Sequence, residues 1–401
     1  MQKYQDQIRQ IALEIGFNEV SFVDARPLLE SEQHFLKWRE QGFAADMNYL
    51  LKDDPINARP QELIKEAKSL IMLTANYYSP CPPRPSAQHG RIAAYAVGLD
   101  YHKVLRKKIQ ELINHPDLVD LFAKSKFFTD SVPLLEKSFA RKAGLGFRGK
   151  NTLLISRETG SFNFICEILT DLELSGHCEQ REAIQCKDSA NALDCFVRTG
   201  LPVTTRATQL LATLNPRNDI ECAQCTRCID ICPTNALPDP YQLDSRKCIS
   251  YHTIENRGEI PEELAQNFGE WFFGCDLCQT ICPYNRRHCE QGKAIQTFPE
   301  FKAESGFGHW IYLPEILDLE LGAQPSPHAL TKALESHKFI DPKALTTIKK
   351  YLAKKSELRE EDLDHIFQIK FARTPLLRPK RLGLIRNAKI VLNNANQAVV
   401  S

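Results

Sequence analysis

ECAQCTRCIDICP, at residues 221–233, contains four of the 14 cysteines of this chain. Cys222, Cys225, Cys228 and Cys232 are separated by two, two and three residues, and a proline follows the last of them. This is the spacing of bacterial ferredoxins, in which three thiolates bind one [4Fe–4S] cubane and the fourth binds a second cluster. The stretch therefore predicts a bacterial ferredoxin-like domain with two [4Fe–4S] clusters.

An incomplete second run, CDLCQTICP, lies at residues 275–283. Phe272 stands where its first cysteine is expected, and Cys248 is the obvious replacement upstream. Each of two [4Fe–4S] cubanes needs four cysteine thiolates. The first run supplies four cysteines, the second run supplies three, and Cys248 completes the two sets. Because the fourth cysteine of each run crosses over, we predict two ligand sets: Cys222, Cys225, Cys228 and Cys282 for one cluster, and Cys232, Cys248, Cys275 and Cys278 for the other.

Zinc in two four-cysteine sites is the alternative, but zinc ribbons do not require two CxxxCP ends. Cys289 competes with Cys282 as a ligand but lies outside the motif. Cys81 and Cys166 lie in or beside apolar stretches, which is typical of small buried residues. A further group has wide spacings without the two-residue chelating step, so a zinc site there is disfavoured; its members are His177, Cys178, Cys186 and Cys195.

Length and charge restrict the class of protein. The 401 residues suggest two or three domains, and 51 Lys+Arg against 50 Asp+Glu exclude a chain that binds polyanions over its whole surface. The first 15 residues, MQKYQDQIRQIALEI, have no secretory apolar core, and no stretch approaches the roughly 18 apolar residues of a membrane helix. We therefore expect a cytoplasmic protein without membrane contact, in which thiols are available to metals.

The chain divides into four segments by pattern. Residues 1–175 alternate helix-like and strand-like stretches, which favours an α/β or α+β domain, and 176–215 form a polar insertion. Residues 216–300 contain the two cysteine runs, and 301–401 are helix-rich. The predicted fold class is an α+β multidomain protein.

Two stretches approach known motifs without completing them. GLGFRGKN, at residues 144–151, resembles a phosphate loop, but Asn151 stands where Ser or Thr would hold magnesium. Asp100, Tyr101 and His102 begin the D-x-H-x-x-G pattern of cobalamin proteins that use a histidine ligand, but a leucine replaces the glycine. Neither a nucleotide site nor an axial histidine is predicted, and His102 is interpreted as a surface or packing residue.

Together with further segments, the cysteine runs resemble the epoxyqueuosine reductase family, which comprises cobalamin-dependent iron–sulfur enzymes of queuosine biosynthesis. The resemblance covers residues 1–175 and 216–290. The segments that carry it are YAVGLDYHK (95–103), TDSVPLLE (129–136), KAGLGFRGK (142–150), GSF (160–162) and CISY (248–251).

The resemblance implies an α/β-type domain that holds base-off cobalamin, with clusters that pass it electrons from an external low-potential donor. Cob(I)alamin would then drive removal of the epoxide oxygen from the modified base at the tRNA wobble position. A C-terminal helical, HEAT-like region would bind tRNA, and the protein would be a monomer. Residues 176–215 are longer than the linker expected from the family, and we expect the C-terminal tRNA-binding part to be shortened relative to the family.

The family comparison also implies residue roles. Asp130 would be the proton donor, because an alkoxide leaves poorly until it is protonated; without the resemblance, Asp130 is interpreted as a helix N-terminal residue. Lys52 stands where relatives often carry arginine, which puts that contact in doubt. The positions that match cobalamin contacts are Lys52, Asp130, Leu154, Ile165, Cys275 and Asp276.

A basic segment near the C-terminus is an independent indication of RNA. Between Ile369 and Ile390 it contains cations and no acid, whereas a solvated helix face usually mixes both signs. Such a segment can neutralise several phosphates. Its basic residues are Lys370, Arg373, Arg378, Lys380, Arg381, Arg386 and Lys389.

Two other classes of protein share parts of this pattern. A reductive dehalogenase would also contain cobalamin and clusters, but we would expect it to carry an export signal. A non-catalytic electron carrier of the ferredoxin type would leave the N-terminal 175 residues and Asp130 without a purpose.

Overall fold

The computed structural model describes residues 2–51, 58–132, 134–174, 222–285, 295, 297–320, 326–336 and 341–400. Lys52, the insertion at 176–215 and Cys289 lie outside these residues. The chain forms two compact units. The first unit comprises Met1–Pro80, Tyr101–Ser245 and Leu277–Pro299, and the second comprises Cys81–Asp100, Arg246–Asp276 and Glu300–Ser401. The four sequence segments are a different division, and their limits stay a prediction.

The strands are β1 (Glu19–Asp24), β2 (Ser69–Asn76), β3 (His89–Ile92), β4 (Lys126–Phe128), β5 (Phe147–Arg148), β6 (Leu154–Ile155), β7 (Asn163–Thr170), β8 (Trp271–Phe273) and β9 (Trp310–Tyr312). Helices of the first unit are α1 (Gln2–Ile15), α2 (Leu29–Glu40), α3 (Asn48–Leu51), α4 (Tyr101–Ile113), α5 (Glu136–Lys142), α6 (Arg227–Asp230) and, further along the chain, α9 (Leu277–Thr280). Helices of the second unit are α7 (Ile249–Ile254), α8 (Glu262–Ala265), α10 (Pro314–Leu317), α11 (Pro327–Ser336), α12 (Pro342–Leu352), α13 (Glu360–Lys370) and α14 (Lys380–Val400).

The first unit is built on a four-stranded sheet in the order β1-β2-β7-β4. Every neighbouring pair is antiparallel, and the longest pairing runs from Ser69 opposite Thr170 to Asn76 opposite Asn163. The expectation of an α/β-type domain is therefore wrong for this sheet, and the α+β alternative is correct. Alternation of helix and strand along the chain does not determine strand direction, because long connections can return to either end of a sheet.

Both faces of this sheet are covered. Strand β2 is buried at all eight positions, as expected for a strand between two apolar layers. On one face, α5 places Phe139 and Ala140 in a core with Leu70 and Leu169. Helix α1 contacts both α4 and β1. The segment between α4 and α5, which contains β4, carries the candidate catalytic residue.

The second unit contains a three-stranded sheet in the order β8-β3-β9. Strand β3 pairs parallel to β8 and antiparallel to β9. Apolar side chains of this sheet and of α10 to α14 form one core, which includes Phe272, Ile311, Leu334, Ile366 and Leu384. The helix-rich character predicted after residue 300 is confirmed. Over the residues that the structure describes, no helix combines the length and the apolar character needed to cross a membrane.

Candidate functional site

Asp130 lies just beyond the end of β4, where Phe128 pairs with Glu167 of β7. Its φ of 48° is in the left-handed region, which non-glycine residues seldom adopt and which asparagine and aspartate tolerate best. The carboxylate is 64% exposed, and His102 Nε2 lies 3.9 Å from its Oδ2. The hydroxyl of Tyr101 donates a 2.6 Å hydrogen bond to the same oxygen. The Asp130 carboxylate is therefore accessible to solvent, and its Oδ2 atom is fixed by the hydrogen bond from Tyr101.

Tyr101 is itself fixed by stacking. Its ring lies parallel to Phe164 of β7, with centroids 4.3 Å apart and an interplanar angle of 9°. Its ring also stacks with that of His102, with centroids 4.0 Å apart. Stacked rings of this kind resist rotation, so the hydroxyl is directed at Asp130. No sequence pattern predicts a role for Tyr101. Its place between Asp100 and His102, in the incomplete cobalamin motif, is the one feature that distinguishes it.

Two further carboxyl groups interact with Asp130. The pKa of Glu136, the first residue of α5, is raised to about 8, first by desolvation and then by the charge of Asp130. Glu167 is 1% exposed, and burial together with the charges of Glu136 and Asp130 raises its pKa well above the ordinary value. Like charges brought together in this way favour retention of protons. Glu136 and Glu167, two carboxyl groups with raised pKa values, therefore interact with the candidate proton donor Asp130.

The same region has the character that a corrin requires. Leu154 and Ile165 are buried in the apolar core that α5 covers. Nearby, Glu167 Oε2 and Thr129 Oγ1 are buried without a hydrogen-bond partner among the residues described. Orphaned buried acceptors are costly and suggest an absent donor, and a corrin carries amide donors around an apolar ring. The residues present fit cobalamin at this place in the first unit.

The other predicted cobalamin contacts are distributed differently. Cys275 and Asp276 belong to the second unit, where Asp276 Oδ2 accepts a 2.7 Å hydrogen bond from the backbone N–H of Ala94. Asp276 is thus already engaged within its own unit. Lys52 cannot be placed, because it lies outside the described residues.

The first ligand set is brought together in the first unit. Cys222 and Cys282 pack in one apolar cluster with Phe147 and Ile155. Burial, with the charges of the Cys222, Cys225 and Cys228 thiolates, raises the pKa of Cys282 to about 12. The other three thiols of the set are thus near enough to Cys282 to affect its pKa, which is compatible with a shared cluster whose iron would displace the thiol protons. The predicted ligand set is Cys222, Cys225, Cys228 and Cys282.

The predicted second ligand set draws its cysteines from both of the units, which are described separately. Cys232 and Cys278 lie in the first unit, and Cys248 and Cys275 lie in the second. Cys248 immediately precedes α7, which packs on β8, and Cys275 follows β8 closely. In the part of the chain described here, no three Cys, His, Asp or Glu side chains form a group that could hold a single metal ion.

The KAGLGFRGK stretch contacts the first cysteine run, and Asn151, the next residue, contacts the second. Lys150, which is 8% exposed, donates a 2.7 Å hydrogen bond from Nζ to the carbonyl of Ala223, within the first run. Asn151 Nδ2 donates to the carbonyl of Cys278 in the second run at 3.2 Å. A Cβ at Gly146 would lie 2.3 Å from the carbonyl oxygen of Ile155. The glycines thus permit close packing of this loop, and the motif supports the cluster loops.

Most cations of the C-terminal basic segment are engaged within the second unit. Lys370 pairs with Glu315 at 3.5 Å, and Lys389 pairs with Glu320 at 2.6 Å. Arg378 pairs with Glu255. Arg381 binds carboxylates of α13, and Arg386 donates to backbone carbonyls of residues 252, 256 and 258. Only Arg373 and Lys380 of the segment are exposed without a recorded partner in the described structure.

Comparison with known proteins identifies related sequences. Residues 221–285 match the family "4Fe-4S double cluster binding domain", and residues 58–131 match "Epoxyqueuosine reductase QueG, DUF1730". An epoxyqueuosine reductase of Synechocystis is 37% identical over 267 residues, which covers 65% of this chain and 77% of the relative. One from Cellulophaga algicola is 35% identical over 291 residues, covering 71% of this chain and 80% of the relative.

Solved structures share the fold. A Bacillus subtilis epoxyqueuosine reductase, described with its catalytic aspartate loop swung out of the active site, has a TM-score of 0.68 at 20% identity, covering 99% of this chain and 83% of that one. Another, solved with an epoxyqueuosine-modified tRNA-Tyr stem loop, has a TM-score of 0.67 at 21% identity and the same coverage. These similarities establish the fold.

Proposed function

Because the chain belongs to the epoxyqueuosine reductase family, we propose that it reduces epoxyqueuosine to queuosine at the wobble position of tRNA. Family membership favours this activity over the two alternative classes of protein, a reductive dehalogenase and a non-catalytic electron carrier of the ferredoxin type. The observation that carries the proposal is the placement of Asp130, exposed and hydrogen-bonded by Tyr101, within the stretch that matches the reductase family.

The reaction determines what the site must supply. Conversion of an epoxide to an alkene consumes two electrons and two protons, breaks both carbon–oxygen bonds and releases water. Asp130 is proposed to give a proton to the departing oxygen, because a protonated oxygen is the better leaving group. The raised pKa values of Glu136 and Glu167 support this assignment, since Glu136, with a pKa of about 8, holds its proton under neutral conditions beside Asp130.

Cobalamin is the proposed cofactor of the first unit. Leu154 and Ile165 would contact the corrin, Asp130 would face it, and Thr129 and Glu167 offer acceptors to its amide groups. When bound, cobalamin supplies a strongly reducing nucleophile for the epoxide. Lys52, Cys275 and Asp276 stay proposed contacts on the family comparison alone.

The two clusters are proposed to carry electrons to that site. The match of residues 221–285 to a double-cluster domain supports two [4Fe–4S] clusters, and the ligand sets are those predicted from the spacing. Lys150 and Asn151 would hold the two cysteine runs in fixed positions. An external low-potential donor, a monomeric state, a cytoplasmic location and a HEAT-like C-terminal region that contacts tRNA complete the proposal.

The test is complementation of a bacterial strain that lacks its own epoxyqueuosine reductase. Nucleosides from its tRNA are separated and identified by mass spectrometry. We expect epoxyqueuosine to disappear and queuosine to appear when this chain is expressed. Persistence of epoxyqueuosine, with the protein present and its clusters intact, would contradict the proposal.

A further inference from the structure

Asn285 is a buried polar residue that follows the second cysteine run. It is 3% exposed and lies three positions after Cys282. Its Oδ1 accepts a 2.6 Å hydrogen bond from the backbone N–H of Ser161. Its Nδ2 donates to Ser161 Oγ at 2.8 Å and to the carbonyl of Gln279 at 2.7 Å. Both polar atoms of this amide are therefore engaged inside the protein.

Ser161, the partner of Asn285, is the central residue of the GSF segment, which leads into β7. It is 4% exposed, and its hydroxyl donates a 3.0 Å hydrogen bond to Gln279 Oε1. Strand β7 contains Ile165, one of the proposed cobalamin contacts. Asn285, Ser161 and Gln279 thus form a buried network that joins the second cysteine run to the beginning of a sheet strand.

This network closes the turn that carries Cys282. The backbone N–H of Cys282 donates to the carbonyl of Gln279, and the backbone N–H of Asn285 donates to the carbonyl of Cys282, each at 3.0 Å. Because the Asn285 side chain binds the same Gln279 carbonyl, it ties the end of the turn to its beginning. Tyr284 lies within the turn, and its ring packs edge-on against Phe147 of β5 at 4.9 Å. The backbone around Tyr284 is therefore held from both sides.

One backbone donor of this turn is directed at the Cys282 sulfur. Pro283 has no N–H, so Tyr284 provides the first backbone donor after the cysteine. Burial raises the pKa of Cys282 to about 12, and a hydrogen bond from the backbone of Tyr284 acts in the opposite direction because it favours the thiolate. Hydrogen bonds to the sulfur atoms of an iron–sulfur cluster help to set its reduction potential, since they stabilise the more negative, reduced state.

We propose that Asn285 is a positioning residue that raises the reduction potential of the first cluster by holding the Tyr284 N–H against the Cys282 sulfur. The inference rests on the proposed function, since it assumes that Cys282 is a ligand of that cluster. Without the Asn285 side chain, the Gln279 carbonyl and the Ser161 N–H lose a partner in a buried place, which favours opening of the turn. The bond from Tyr284 to the sulfur would then lengthen or break.

The experiment compares Asn285→Ala with Asn76→Ala in the full-length protein, reconstituted with its clusters. Asn76 is a matched control because it is the same residue type and is 1% exposed. Its Nδ2 donates to the carbonyl of Thr159 and to Oδ1 of Asn163, which lie in the sheet and its loop and not in a cysteine run. Both substitutions remove a buried amide, so each should lower the free energy of unfolding. Iron content and far-ultraviolet circular dichroism check that the variants fold.

The readout is a redox titration followed by electron paramagnetic resonance, in which the first cluster is identified as the signal that Cys225→Ser alters. At a fixed solution potential, we expect the ratio of reduced to oxidised first cluster to fall about tenfold in Asn285→Ala, the scale of one lost hydrogen bond to a charged group. Asn76→Ala should keep the parental ratio. Ser161→Ala, which retains the backbone bond to Asn285 Oδ1, should change the ratio in the same direction by a smaller factor.

A parental ratio in an Asn285→Ala variant with full iron content would overturn the inference. An equal change in the two asparagine variants would also overturn it, because the cause would then be general loosening of the fold. If Asn285→Ala does not retain its clusters, Ser161→Ala decides by the same ratio, and a parental value overturns the inference. These results differ from failure of the proposed function, in which the parent itself holds no first cluster or does not convert epoxyqueuosine.

Discussion

The hydroxyl of Tyr101 lies 2.6 Å from Oδ2 of Asp130, although the two residues are 29 positions apart in the chain. Tyr101 begins α4, and Asp130 follows β4, so the contact joins two elements of the first unit. Stacking with Phe164 and His102 fixes the tyrosine ring. The arrangement makes Tyr101 a positioning residue for the candidate proton donor.

Tyr101→Phe keeps this stacking and removes only the hydroxyl. We expect kcat to fall about tenfold, the scale of one lost hydrogen bond to a charged group, while KM for tRNA changes little because the hydroxyl is already bonded to Asp130. Steady-state kinetics at saturating reductant measure both. Tyr4→Phe, at an exposed position of α1, is the control. An effect confined to KM would show that Tyr101 binds RNA instead.

Cys248→Ala tests the least regular cluster ligand. The second ligand set depends on it because Phe272 occupies the expected place. We expect anaerobically purified protein to lose about half of its iron and sulfide, since one of two [4Fe–4S] clusters cannot form. Cys289→Ala should lose none. Iron loss in Cys289→Ala but not in Cys248→Ala would reverse the assignment.

Arg381→Ala tests whether this arginine of the C-terminal basic segment stabilises the fold rather than binding RNA. The side chain is 1% exposed and contacts Glu360 and Asp364, and it donates to the carbonyl of Leu319 at 2.8 Å. We expect a loss of about 2–3 kcal/mol in the free energy of unfolding, from these charge-assisted bonds and the packed stem. Lys380→Ala, its exposed neighbour, should be nearly neutral. Chemical denaturation measures both, and equal stability of the two variants would contradict this role.

Much of the site could be predicted from sequence because cysteine spacing is a direct chemical constraint. The spacing predicts Cys282 as the fourth ligand of the first set, and Cys282 packs in one apolar cluster with Cys222. Strand β2 is a continuous buried apolar run, and α4 buries apolar residues at helical spacing, which are patterns that a sequence displays directly.

What the sequence could not predict depends on contacts between distant segments. The direction of each strand in the first sheet depends on the end of the sheet to which its connecting segment returns. The sequence does not specify this, so the α/β expectation did not predict the antiparallel sheet. The bonds from Lys150 and Asn151 to the cysteine runs join residues 73 and 127 positions apart. The C-terminal cations looked available by composition, and only packing shows that Arg381 and Lys370 are buried.

Glu167→Gln tests the buried carboxyl groups by pH. The folded-state pKa of Glu167 is raised above its ordinary value, so between the two values the native state binds more protons than the unfolded chain. Stability should therefore fall as pH rises above the ordinary pKa of a glutamate and toward the raised pKa of Glu167. The glutamine variant, neutral throughout, should show a shallower fall in thermal unfolding of cobalamin-free protein. Glu66→Gln, at an exposed position, should keep the parental slope, and a Glu167→Gln slope equal to it would contradict the assignment.

The most direct test of the account is the rate at which reconstituted Asp130→Asn converts epoxyqueuosine in a tRNA stem loop, followed by mass spectrometry of the nucleosides. Asparagine tolerates the left-handed backbone of this position, so cluster and cobalamin content should equal those of the parent. We predict that the parent removes the epoxide oxygen and that the variant is slower by roughly 10²-fold, the scale of a lost general acid. Near-parental turnover by a variant with full cofactor content would contradict the role of Asp130 as proton donor.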